Sequence, residues 1–264
     1  MISVIIPTLN ETAHLGATLA NVRSRLPGAE IIVADGGSDD GTDQIADEAG
    51  ARLIIAPRGR GPQCIAGTAR ATGDLLLFLH ADTALPANAA EVLAANFVRP
   101  EVQIGTFRLA FDDASPFLRA CAWCTRVDSV FTRFGDQGIA IRRDFYDELG
   151  GFPPWPLFED VELLRRARRR TRVWSFPAAV TTSARRFRRH GPWRQQLRNG
   201  SLVLRYLLGA SPESLAAEYP SEQLPPVAPS RLEPIRISIS DVGAQRDCAP
   251  TFQEKVTSGT GLSG

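Results

Sequence analysis

Lysine is nearly missing from this sequence: the 30 basic residues include one lysine, Lys255. Methionine occurs once, histidine three times and cysteine four times in 264 residues. The cysteine spacing suggests no oxidised framework, which argues against a disulfide-stabilised secreted domain. Only Cys121-x-x-Cys124 invites a redox or zinc reading. It lies in an apolar helical stretch with no second pair, so two small core residues are expected instead. No apolar run approaches the roughly 20 residues needed to cross a bilayer. Met1 leads directly into a strand-like run with no basic, apolar leader, so a cytoplasmic location is expected. No Gly-x-Gly-x-x-Gly follows the first strand, which argues against dinucleotide binding. That position reads Pro7-Thr8-Leu9-Asn10, which also lacks the Gly-rich, Lys-bearing loop expected of a sugar nucleotidyltransferase.

With 44% hydrophobic residues, the chain can bury a core of one large α/β domain or two small ones. The net charge of +1 hides an asymmetry. Twelve arginines and no acid lie between Leu163 and Gly200, so the remainder is strongly acidic. Guanidinium groups suit phosphates, yet most of a charge run forms a solvated face. No aromatic platform or recognised module accompanies these arginines, so nucleic acid is not an expected partner.

The first hundred residues alternate strand and helix. Ser3–Ile6, Ile31–Ala34, Arg52–Ala56 and Leu75–Leu79 are short apolar runs expected as buried strands. Leu15, Leu19, Val22 and Leu26 recur at helical spacing, with Asn10 or Thr12 as the cap. Further helices are expected from Thr42 and over Gln63–Ala71. This alternation predicts a mostly parallel central sheet flanked by helices. Beyond it, strands are expected over Val102–Phe111, Gly138–Ile141, Arg172–Phe176 and Val180–Ser183. Helices are expected over Ser115–Thr132, Asp144 to Gly150, Glu159–Arg169 and Trp193–Leu208, with a loop holding Arg185 to His190. From Tyr219 repeated prolines break every periodicity, so residues 219–264 are expected to be disordered.

Ligands of open parallel sheets bind at the carboxyl ends of the strands. Polar residues gather there: Thr8, Asn10 and Glu11 after the first strand, Asp35 after the second, Arg58 and Arg60 after the third, His80 and Asp82 after the fourth. Each alone has an ordinary explanation as a cap or turn residue. Four consecutive strand ends converging on one crevice are harder to explain that way.

In order along the chain stand Ser3-Val4-Ile5-Ile6-Pro7-Thr8-Leu9-Asn10-Glu11, Asp35-Gly36-Gly37-Ser38-Asp39-Asp40-Gly41-Thr42 and His80-Ala81-Asp82-Thr83. They are followed by Gly135-Asp136-Gln137-Gly138, Gly150-Gly151-Phe152 and Glu159-Asp160. This ordered set resembles the inverting family-two glycosyltransferases with the GT-A fold, in the subgroup whose Asp-x-Asp element reads His-Ala-Asp. The resemblance covers roughly residues 2 to 208. It implies a single GT-A domain over residues 1–218, in which residues 1–100 bind the donor and residues 101–218 serve the acceptor and catalysis.

The resemblance implies that a UDP- or GDP-sugar is the donor, with Pro7, Thr8 and Glu11 lining the nucleoside pocket. Asp35 would accept a hydrogen bond from the base, which suits an acceptor without a donor of its own. Arg60, in the loop Gly59-Arg60-Gly61, would close over the nucleotide, and Arg185 and Arg186 would meet the diphosphate. Asp82, with His80 in place of the usual first acid, would hold Mg²⁺ or Mn²⁺ on it. Ile65 stands where the family often has Asn. Asp160 would be the general base that deprotonates the acceptor hydroxyl, although two acids opening a helix also complement its dipole. Gln137, Trp155 and Glu159 fall on the acceptor side, for a carbohydrate or lipid acceptor. The basic amphipathic stretch around Leu202 to Leu208 is expected to pack on the domain or to touch a membrane surface peripherally. A catalytically weak donor-binding relative, or a sugar nucleotidyltransferase, is the alternative function.

Overall fold

The computed structural model describes residues 1–218; the tail expected to be disordered lies outside the described residues. The first half follows the apolar runs: β1 (Ile2–Thr8), α1 (Thr12–Arg25), β2 (Glu30–Asp35), α2 (Thr42–Glu48), β3 (Arg52–Ile55), α3 (Arg60–Arg70) and β4 (Leu75–Phe78). A two-residue β5 (Thr83–Ala84) and α4 (Ala89–Phe97) come next, in a stretch whose elements the motifs leave unassigned. The second half contains β6 (Ile104–Phe111), α5 (Pro116–Cys124), a 3-10 turn (Gly135–Gln137), β7 (Ile139–Arg142) and α6 (Arg143–Glu148). It continues through α7 (Glu159–Arg168), β8 (Trp174–Thr182), α8 (Arg185–His190), α9 (Pro192–Leu207) and α10 (Pro212–Glu218).

The strands form one sheet in the order β3-β2-β1-β4-β7-β6-β8-β5. The first four are parallel, β7 is antiparallel to both β4 and β6, and β6 pairs with β8 in parallel. The chain leaves β1 toward β2 and β3, then returns to β4 on β1's other side. That reversal is the switch point where open α/β sheets leave a crevice.

Four expectations change. The two strands around Pro177 are one strand, β8, which bulges between Ser175 and Ala179 opposite Thr106 and Arg108. Proline has no N–H for the ladder, so the strand skips its pairing there instead of ending. The long helix over Ser115–Thr132 stops at Cys124. The following segment turns inward so that Arg133, 2% exposed, reaches the carbonyls of Val173 and Trp174. The segment Arg185–His190, expected as a loop, is helix α8. The N-terminus of α1 is also not capped by Asn10 or Thr12. Glu11 stands at the cap with no side-chain bond, while Asn10 adopts a left-handed φ of 55°.

One apolar cluster, with Leu15, Leu19, Val33, Leu77 and Phe107, lies on one face of the sheet, and a second joins Ile5, Leu76, Phe78, Ile139, Phe145 and Leu163. A third, smaller cluster packs Phe158, Val161, Leu202 and Leu215, binding α9 and α10 to the start of α7.

Candidate active site

A cleft of about 340 Å³ opens at the carboxyl ends of β1 and β4. Its walls bring together Pro7, Glu11, Arg60, His80, Asp82, Gln137, Asp160, Arg185 and Arg186, drawn from both halves of the chain.

The first wall is fixed from behind. The Thr18 hydroxyl of α1 donates to the Ala81 carbonyl at 2.6 Å, and the Asn21 side chain takes the Leu85 N–H at 2.7 Å. These bonds set the segment between His80 and Asp82. Arg185, from the start of α8, lies across the front. Its guanidinium donates to both carboxylate oxygens of Glu11, at 2.9 and 2.6 Å, and lies 3.4 Å from Asp82. One cation thus neutralises two carboxylates that converge on the cleft. His80 is held well below its ordinary pKa by burial and by Arg60, Arg186 and Arg185, so its imidazole is neutral at pH 7.

The second wall is the start of α7. Phe158 precedes it with a left-handed φ of 64°, a strained conformation for a bulky residue. Stacking of its ring on Tyr206, with centroids 5.1 Å apart, holds it in place. The Tyr206 hydroxyl donates to Glu162 at 2.9 Å. Phe158 thus aims the acids that follow it. Asp160, 8% exposed, accepts hydrogen bonds from the backbone N–H of Gly135 and, at 2.7 Å, of Val161. A Cβ placed on Gly135 would lie 3.1 Å from Asp160 Oδ2 and 3.3 Å from His80 Nε2, so the two walls approach each other closely at this glycine. Burial, reinforced by the Asp160 charge, pushes Asp136 up to about 7 against the pull of Arg60 and Arg186. The same two causes push Glu159 up to about 8.

Four of the site residues named from the sequence are not among those lining the cleft. Asp35 is buried, and both oxygens are engaged. Oδ1 accepts the hydroxyls of Thr8 (3.1 Å) and Ser38 (2.5 Å), and Oδ2 the N–H groups of Gly37 (2.9 Å) and Ser38 (2.7 Å). Four donors saturate a carboxylate, so Asp35 and Thr8 build the turn Gly36–Ser38. Trp155 presents its carbonyl to the Gly61 N–H at 3.2 Å and its ring edge to Tyr206. Glu159 lies buried beneath the cleft.

Other expectations are corrected by burial. Cys121 is partly exposed and Cys124 exposed; both thiols are free and line the cleft, so they are not core residues. The arginines of α7 are not simply solvated. Arg165 and Arg166 hold Glu162, pulling its pKa down to about 2 against burial, and Arg168 holds Asp128. Asp136 and the apolar wall of Leu109, Phe111, Phe131, Phe187 and Leu202 had no sequence signal except the Gly135–Gly138 motif.

Among the described residues, no group of three or more His, Cys, Asp and Glu side chains is gathered to hold a metal ion. Asp82 and neutral His80 nevertheless fit a divalent cation whose remaining ligands come from a bound diphosphate, since Mg²⁺-type sites commonly use one or two carboxylates plus substrate phosphates. The Arg185 guanidinium in front of Asp82 marks the place where positive charge is accommodated. No helix among the described residues is long and apolar enough to cross a membrane.

Comparison with known proteins bears on this geometry. Residues 3–149 match the model of glycosyl transferase family 2. Over 93 residues the chain is 42% identical to a PGL/p-HBAD biosynthesis glycosyltransferase of Mycobacterium bovis, covering 32% of this chain and 36% of that protein. It is 33% identical over 92 residues to glucosyl-3-phosphoglycerate synthase of Mycolicibacterium smegmatis, covering 31% and 30%. These matches span about a third of the curated relatives' length. Among solved structures, a mannosyltransferase from Pyrobaculum calidifontis in complex with GDP-Man and Mn²⁺ superimposes with a TM-score of 0.58 at 21% identity, covering 82% of this chain and 68% of that one. S. aureus TarS 1-349 in complex with UDP-GlcNAc gives 0.54 at 18% identity, covering 69% and 58%. The chain therefore has the GT-A fold expected from its motifs.

Proposed function

This chain belongs to glycosyl transferase family 2, and on that premise we propose that it transfers a sugar from a UDP- or GDP-linked donor to an acceptor hydroxyl, with inversion at the anomeric carbon. The observation that carries this reading is the pairing across one cleft of a carboxylate held ready, Asp160, with a carboxylate already facing a cation, Asp82.

In this mechanism the nucleoside lies along Pro7 and the Gly36–Ser38 turn that Asp35 shapes. The diphosphate reaches Arg60, Arg185 and Arg186, whose guanidinium groups meet the charge that grows on it as the glycosidic bond breaks. Asp82 and His80 would hold a divalent cation, which would supply Lewis-acid neutralisation of the same charge. Arg185 gives up its place in front of Asp82 and turns to the phosphates. Asp160 takes the proton of the acceptor hydroxyl as that oxygen attacks from the face opposite the diphosphate. The electron pair of the broken C–O bond leaves with the nucleoside diphosphate. One displacement inverts the centre and needs no covalent sugar intermediate.

The acceptor enters over residues 101–218, and the wall of Leu109, Phe111, Phe131 and Leu202 suits one with an apolar portion, lipid-linked or aromatic. On α9, Trp193, Leu197 and Leu204 are exposed beside Arg194 and Arg198, with Leu208 at its end. That is the composition of a helix lying on an anionic membrane face. Release of nucleoside diphosphate from a panel of UDP- and GDP-sugars, with and without Mn²⁺, tests the reading. One donor is expected to be turned over, faster with the metal. No release from any donor, together with no thermal shift on adding UDP or GDP, overturns it.

A further inference from the structure

The 3-10 turn Gly135–Gln137 carries two acceptor atoms that the protein leaves without donors. Its first residue gives its N–H to Asp160, and the next two side chains both line the cleft. Gln137 is 0% exposed. Its Nε2 donates to the Thr132 carbonyl at 2.7 Å, so flipping the amide would set two oxygens face to face. Oε1 is therefore the atom left over, buried and unpartnered. Asp136 Oδ1 is likewise buried without a hydrogen-bond partner. A buried acceptor without a donor is costly to a fold. Two in consecutive residues on one cleft wall point to a ligand that brings hydroxyl groups.

Their location says which portion of the ligand. Gly135, next to Asp136, gives its N–H to Asp160, and Asp136 and Gln137 line the cleft together with Asp160 and Asp82. In the displacement described above, Asp160 stands on the acceptor side of the anomeric carbon and Asp82 on the diphosphate side. A group that lines the cleft with both flanks the ring of the sugar in transit. We propose that Asp136 and Gln137 form the recognition site for hydroxyls of the donor's sugar ring, and so discriminate hydroxylated sugars from deoxy analogues. The proposal rests on the donor-site reading of the cleft. A ring hydroxyl donates to Gln137 Oε1, and a second one shares a hydrogen bond with Asp136. Discrimination of this kind is strong because an analogue lacking the hydroxyl leaves the buried acceptor unpaired.

Calorimetric titration with UDP, GDP, UDP-glucose and GDP-mannose separates the outcomes, using the full chain and its Asp136→Leu, Asp136→Asn and Gln137→Met variants. Leu matches the carboxyl in shape and removes an unsatisfied oxygen, so the melting temperature is expected to hold or rise. Asp136→Leu and Gln137→Met are expected to lose about tenfold in affinity for the preferred nucleotide-sugar. Affinity for its parent nucleoside diphosphate should stay within about twofold, and Asp136→Asn should recover most of the loss. Equal weakening of nucleotide-sugar and nucleoside diphosphate, or no weakening of either, overturns the sugar site while leaving the donor cleft standing. A wild-type protein that binds none of the four compounds overturns the donor reading, and this inference with it.

Discussion

The two halves of the chain build opposite walls of one cleft by different means. In the first half, polar groups at the strand ends are satisfied by neighbouring turns. Asp35 is saturated by Thr8, Gly37 and Ser38. Asp40 is pulled down to about 2 by the Thr12 and Thr42 hydroxyls and backbone against the effect of burial. In the second half Asp160 is gripped by Gly135 of the 3-10 turn, and Arg185 crosses from α8 to Glu11 of the first half. There the carboxyls stand high, Asp136 at about 7 and Glu159 at about 8. An acceptor filled by the protein's own turn, like Asp35, is scaffold. A wall with raised and unpartnered acids holds the tension that chemistry uses.

The largest effect is expected from Asp160→Asn, which keeps the shape and removes the base. Turnover by nucleoside diphosphate release should fall about 10²- to 10⁴-fold, while the melting temperature drops modestly, because the amide nitrogen must face one of the N–H groups of Gly135 and Val161 that the carboxylate accepts. A folded variant with wild-type turnover would erase the functional half of the contrast. Gly61→Ala tests the seam between the halves. A Cβ there would meet the Pro153 and Trp155 carbonyls at 2.3 and 2.7 Å, and because these are backbone atoms little can give. A loss of about 3 kcal/mol in urea unfolding is expected, and an unchanged midpoint would show the seam to be loose.

The raised acids predict a pH dependence. Unfolded carboxyls ionise near 4, so at neutral pH the folded state holds protons on Asp136 and Glu159 that the unfolded state has lost. Stability therefore falls as pH rises through the folded pKa values, until both states are ionised above about 8. Neutral His80 opposes this only below its unfolded pKa of about 6.5. The window from pH 7 to 8 is thus governed by the acids. Melting temperature should decline across it, and Glu159→Gln should flatten the slope. A rise across the same window would place the strain elsewhere. The smallest effect is reserved for the α7 surface. Arg170 and Glu148 are paired at 3.2 Å but 62% and 55% exposed, so Arg170→Ala should change unfolding by no more than about 0.5 kcal/mol. A loss several times larger would mean that the arginine belt carries stability.

Much of the first half was legible because its signals are local. The runs Val4-Ile5-Ile6 and Leu75–Phe78, stopped by Pro7 and by His80-Ala81-Asp82, read directly as strands entering a crevice. Helix α4 was not read from the sequence, although its buried Ala89, Val92 and Leu93 fall at helical spacing. The second half was read less well. Helix α5 ends at Cys124 because burying Arg133 under β6 and β8 draws the chain inward, and no residue after Cys124 announces that. Strand β8 survives Pro177 because β6 can pair on either side of the bulge.

By itself the sequence determined the alternating α/β architecture and the order of the acidic and glycine-rich motifs, because periodicity and turn chemistry act over a few residues. It also named nine of the residues that line the cleft: Pro7, Glu11, Arg60, His80, Asp82, Gln137, Asp160, Arg185 and Arg186. Only the tertiary structure decided what each carboxylate does. Asp35 is consumed in its own turn, Asp82 is shared with Arg185, Asp160 is held ready by Gly135, and Asp136 is left with an empty acceptor. The same side chain takes any of these states according to which donors surround it, and those donors, Thr8 for Asp35, Gly135 for Asp160 and Arg185 for Asp82, arrive from distant segments that only the folded chain brings together.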